Sequence, residues 1–143
     1  MNMQPAPRQA YALLRLVIGI DMFLHGATRI GAGVDTFAAK MTSEFHATIL
    51  PQALVHIFAS VLPFVEGLIG LLLILGLFTR GTLIASSLLM AALVFGTALR
   101  SDWSTIGLQL IYAVIYYLLL SRIADNCWAL DSLRQRAADP TDR

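Results

Sequence analysis

Three ionisable residues, Asp21, His25 and Arg29, follow one another at four-residue intervals. On an α-helix each such step rotates by about 40°, so the three share one broad face, with Arg15 flanking it. The surrounding residues are apolar, and an ionisable group in the middle of a membrane costs about 2.5–3.5 kcal/mol on insertion scales. The chemistry on offer is acid–base: His25, or Glu66 further along the chain, supplies protons, while the guanidinium of Arg29 or Arg15 polarises a carbonyl. Glu66 is the single formal charge in a second apolar run. Packing that run antiparallel to the first brings Glu66 and Asp21 to similar depth. Pro63 frees the carbonyl of Ala59 and is expected to kink its helix, a common mark of a cavity in a membrane protein. Gln109, Tyr112 and Tyr116 make a polar and aromatic stripe, three and four residues apart. Tyrosine offers a flat apolar ring and a hydroxyl, suited to holding a quinone and hydrogen-bonding its carbonyl. The candidate catalytic residues are therefore His25, Glu66 and Asp21. The candidate substrate-binding residues are Arg15, Arg29, Gln109, Tyr112 and Tyr116. The plain alternative is packing: ion pairs of Arg15 or Arg29 with Glu66 or Asp21 that fix helix contacts, and tyrosines that fill space.

His25 and His56 would lie at comparable depth, and two facing imidazoles are a haem ligand pair. No C-x-x-C-H accompanies them, so haem ranks low, and no metal set is assigned. His46 reads as a solvated side chain. Cys127, the single cysteine, has no partner for a disulfide or a C-x-x-C.

Positioning such residues falls to apolar helices. The 143 residues are 57% hydrophobic and 13% charged, with mean hydropathy +0.72. A soluble domain carries about 25% charged residues, and this much apolar surface exceeds what one small aqueous core can bury. Four runs are long enough to cross a bilayer as helices: about Ala10 to Ile30, about Ala53 to Phe78, Thr82 to Leu99, and about Trp103 to Ser121. The first is read as a retained span, because Arg15 and Asp21 interrupt it and no A-x-A-like cleavage site follows. Small residues Gly67, Gly70 and Gly76, with Ala85, Ser86 and Ser87, are expected to let spans two and three approach closely. Between spans one and two, Val34, Phe37, Ala38, Met41, Phe45 and Ile49 recur at helical spacing, opposite Asp35, Lys40, Ser43 and Glu44. This predicts a short interfacial helix lying over the bundle like a lid. The fold expected is an all-α integral membrane protein, a four-transmembrane-helix bundle over residues 1–123, followed by a polar tail over residues 124–143.

Basic residues set the expected orientation. Arg8, Arg15, Arg80, Arg122, Arg134, Arg136 and Arg143 fall on one side, against Arg29, Lys40 and Arg100 on the other. Both termini are accordingly expected in the cytoplasm, in a bacterial-type inner membrane. A net charge of +1 with scattered basic residues excludes a nucleic-acid surface.

Three stretches carry a resemblance: Arg15 to Arg29 (RLVIGIDMFLHGATR), Pro63 to Arg80 (PFVEGLIGLLLILGLFTR), and the interspan segment ending at Pro51. In this order they resemble the DoxX family of four-span membrane proteins, from about Ala10 to Arg122. Arg29 departs from the pattern, where a lysine is common. The resemblance implies a link to quinone reduction, since that family is similar to the membrane subunit of thiosulfate:quinone oxidoreductase. It also implies accessory roles beside redox enzymes. No flavin or nicotinamide fingerprint is present, so electrons would come from a peripheral or membrane redox partner. Three readings follow: a quinone-docking or quinone-reducing subunit, a non-catalytic structural or assembly subunit (with homo-oligomers possible in either case), and, ranked lowest, a small-molecule or metal carrier lacking a transporter's inverted repeat.

Overall fold

The computed structural model describes residues 6–133, which are helix, turn and loop with no strand among them. The order is α1 (Ala6–Ala32), α2 (Val34–Glu44), α3 (Gln52–Leu75), α4 (Thr79–Leu99) and α5 (Trp103–Ser121), then a 3₁₀ turn at Ile123–Asp125. Four of these are long and apolar enough to cross a membrane: Pro7–Ala32 within α1, then α3, α4 and α5. At 1.5 Å per residue, the 24 residues of α3 rise about 36 Å, enough to cross a hydrocarbon core of about 30 Å. The four-helix membrane bundle expected from the sequence is the fold observed.

Helix ends fall where backbone geometry changes. Gly33, at φ 99°, separates α1 from α2, and Gly76, at φ 63°, ends α3 in the left-handed conformation open to glycine. The second span therefore stops at Leu75 rather than Phe78, and α4 begins at Thr79 rather than Thr82. Asp102 caps α5, accepting from the Thr105 backbone N–H at 3.2 Å and its hydroxyl at 2.6 Å.

The closest packing in the bundle is between α1 and α3. A Cβ on Gly26 would collide with the Pro63 carbonyl and the Gly67 amide, and one on Gly70 with the Phe23 backbone. The small residues of α3 thus serve spans one and two, not spans two and three as expected, because Gly67 and Gly70 lie on the face turned to α1. Tyr11, Ile18, Met22, Leu73, Leu83 and Tyr116 belong to the buried core. Outward-facing residues such as Val17, Leu68, Leu88 and Leu108 are apolar and exposed, as a lipid-facing surface requires.

The two ends differ. At one, α2 lies over α3, with Ala38 fully buried, as the predicted lid. But the helix ends at Glu44, Ile49 beyond it is exposed, and Lys40 and Glu44 of the expected outer face turn to the space below. At the other end, both termini of the described chain meet. The polar segment after α5 packs against the bundle: Asp131 accepts from the backbone N–H groups of Phe78 and Thr79 at 2.8 and 2.7 Å, capping α4. Asn126 donates to Thr79 Oγ1, and Ala129 is buried. A helical turn occupies residues 130–133. The tail arginines Arg134, Arg136 and Arg143 lie outside the described residues.

Candidate functional site

Beneath the lid is a cavity of about 490 Å³, bounded by the end of α1 and by α2, α3, α4 and α5. Phe37, Met41 and Phe45 hang from the lid segment into its wall, and Phe58 and Leu62 of α3 face them. The periodicity that predicted the lid is the same periodicity that turns these side chains inward. Arg29 and Glu66 meet on the cavity wall as an ion pair, with Glu66 buried to 4% exposure and Arg29 to 28%. The Arg29 guanidinium also lies over the Phe37 ring, 4.7 Å from its centroid. A single cation therefore joins α1, the lid and α3. At the rim, Arg100 pairs with Glu44 at 2.9 Å and lies over the Phe45 ring at 5.3 Å. Both contacts hold the lid to the start of the α4–α5 turn. Gly96 leaves space for Phe45, whose ring would lie 3.2 Å from a Cβ added there.

Gln109 completes the wall from α5. Its Nε2 donates to Thr97 Oγ1 at 2.9 Å, while its Oε1 is buried without a hydrogen-bond partner.

Asp21 and His25 lie beside this cavity rather than in it. Tyr112 donates to Asp21 Oδ2 at 2.7 Å. His25 Nδ1 is 2.9 Å from the Asp21 carbonyl and 3.4 Å from its carboxylate. Both neighbours are acceptors, so Nδ1 carries the ring proton and Nε2 is left as the acceptor of the neutral ring. The side chains of Asp21 and His25 are 39% and 44% exposed.

The predicted residues thus divide into three places. Arg29, Glu66 and Gln109 line the cavity. Asp21, His25 and Tyr112 form a network at its side. Arg15 is at the other end of the bundle, where it donates to Asn126 Oδ1 at 3.0 Å and to the Trp128 carbonyl at 2.8 Å. The expected pairing of Arg15 with Glu66 or Asp21 does not form, because its long side chain reaches the carbonyl-rich chain end instead. Tyr116 is fully buried in the core, and neither it nor Tyr112 is on the cavity wall. His25 and His56 are both exposed, and no group of three or more potential metal ligands occurs among the described residues.

Sequence reasoning passed over Thr97, which orients Gln109, and the Glu44–Arg100 pair, whose members are too far apart in the chain for any spacing to link them. Asn126 and Asp131, read as tail, clamp the α3–α4 turn.

A multi-span membrane architecture with a lidded cavity narrows the comparison with known proteins. The model of the family described as methylamine utilisation protein MauE matches residues 7–104. The chain belongs to the MauE family. The matched segment takes in α1, the lid, α3 and α4, and so every cavity residue except those of α5. What this MauE assignment shares with the DoxX resemblance is a multi-span membrane family; DoxX membership itself is not shown. No curated protein and no solved structure matches the chain.

Proposed function

We propose that this MauE-family protein is the membrane component of a redox system, and that its lid-end cavity receives the head of a quinone. The supporting observation is the wall itself: aromatic and aliphatic side chains around the Arg29–Glu66 pair, whose carboxylate is buried, with the Glu44–Arg100 pair at the rim. A flat apolar ring with carbonyls at its edge needs such a site, apolar for the ring and with a fixed charge for the oxygens. Arg29 polarises a carbonyl, and Glu66, a carboxylate while paired with Arg29, takes a proton from the side of His25 and Asp21 and passes it to the reduced ring. Tyr112 positions Asp21 instead of holding the ring, and Tyr116 packs the core. The family description fits this reading. Using methylamine requires oxidation of its carbon, which releases electron pairs that an acceptor must take. A partner redox protein would deliver them, since the chain shows no fingerprint of an electron-carrying cofactor.

Glu66→Gln keeps a side chain of the same shape but cannot release a proton. In the assembled complex we expect quinone reduction to fall at least tenfold while the chain stays in the membrane in normal amount. Unchanged turnover would remove Glu66 from the proton route. The competing reading is a non-catalytic assembly subunit, favoured by the fact that Arg29, Glu66 and Asp21 all find partners within the chain. Copurification with a larger enzyme in the absence of any retained quinone would favour it.

A further inference from the structure

We infer that the cavity distinguishes the two redox forms of its ring, and that Gln109 is the residue that does so, by accepting a hydrogen bond from a hydroxyl of the reduced form. This rests on the quinone reading above. Thr97 Oγ1 donates to the Leu93 carbonyl at 2.8 Å, so its only proton is committed and it can serve Gln109 solely as an acceptor. The amide must therefore present Nε2 to Thr97. That orientation leaves Oε1 buried with no donor. The other threonine hydroxyl on the same wall, Thr105 Oγ1, is spent on Asp102 at 2.6 Å. An unpartnered carbonyl oxygen in an apolar wall is costly, and the cost is relieved by a ligand that donates.

A quinone carbonyl only accepts, and its lone pairs would face those of Oε1. A quinol hydroxyl does both: it accepts from Arg29 and donates to Gln109, whose Oε1 lies buried behind the wall and must tilt toward the cavity to be reached. The discrimination comes from a buried group left unpaired by the wrong ligand, the most selective arrangement a site of this kind has. A tenfold preference for the reduced form raises the midpoint potential of the bound two-electron couple by about 30 mV, which makes the bound ring a better electron acceptor.

The test uses the full chain in lipid nanodiscs and three decyl-chain probes with one ring and tail: a benzoquinone, its quinol, and the bulkier dimethyl ether of that quinol, which cannot donate. Binding is read as excess uptake over empty nanodiscs. We expect the quinol to bind about tenfold tighter than the quinone or the ether. Gln109→Leu should abolish the difference. Thr97→Val frees the amide to turn and should reduce the preference without removing the side chain, a control should Gln109→Leu fail to give a monodisperse protein. Equal binding of all three probes to the wild-type chain overturns the inference and leaves the quinone reading standing. A preference that survives both substitutions overturns the assignment to Gln109. Failure of every probe to bind overturns the quinone reading as well.

Discussion

Tyr112 illustrates how one hydroxyl separates a network from a cavity. Its oxygen donates to Asp21 near the middle of a membrane span, where losing a donor leaves a carboxylate poorly satisfied. Hydrogen bonds between membrane helices are worth about 0.6–2 kcal/mol, so Tyr112→Phe should lower stability by about 1 kcal/mol in a thermal or denaturant titration in detergent. Because the ring is off the cavity wall, the same substitution should leave quinone binding unchanged; a large loss of binding would return Tyr112 to the site. Asp102 behaves differently, being outside the spans. Its hydrogen bonds from Thr105 and Ser104 hold its carboxyl below the ordinary value of 3.8. A depressed folded-state value means that the contribution is complete above the unfolded value and is lost as pH falls through the folded one. The stability difference between wild type and Asp102→Asn, measured by unfolding across the acid range, should therefore be largest near neutrality and vanish in strong acid.

At the scale of helices, glycines with the same side chain have opposite roles. Gly26 and Gly70 let α1 and α3 approach to backbone contact, whereas Gly81 and Gly107 have open space where a Cβ would go. Gly81→Ala and Gly107→Ala should be neutral or stabilise by up to about 1 kcal/mol, since alanine loses less backbone freedom in a helix. Gly26→Ala must push α3 away and should cost about 1–3 kcal/mol, as overpacking does. Gly67→Ala meets only ordinary contact, with the Gly26 Cα at 3.9 Å, and should be tolerated. Comparing thermal stability of the four variants checks the α1–α3 seam directly. Equal losses at Gly26 and Gly81 would mean that the helices pack through other faces. The lid depends on the same seam, because Arg29 reaches Glu66 only while α1 and α3 stay close.

Over the whole molecule, the lid and the chain ends occupy opposite ends of the bundle. Among the described residues, Arg8, Arg15, Arg80 and Arg122 go with the chain ends, and Arg29, Lys40 and Arg100 with the lid. The excess of basic residues predicts that the chain ends face the cytoplasm. Cysteines placed at Lys40 and at Ser101 should react with an impermeant thiol reagent applied from outside intact cells, and Cys127 should not. Labelling in the reverse pattern would invert the topology and move the cavity mouth to the cytoplasmic side.

Hydropathy alone was enough to count the spans, and the spacing of Phe37, Met41 and Phe45 to find the lid, because both are properties of one helix and its solvent. Periodicity likewise placed Asp21, His25 and Arg29 on one broad face. It does not name the neighbour that face meets. Each four-residue step drifts by about 40°, so Asp21 and Arg29 point about 80° apart, and the close contact of α1 with α3 converts that angle into different surroundings. Arg29 turns to Glu66 and the cavity, while Asp21 turns to Tyr112 of α5. Arg15 binds a segment more than a hundred residues away, at Asn126 and Trp128. Pairings of this kind depend on non-local packing and on the rotation of each helix about its axis, which only the assembled bundle settles.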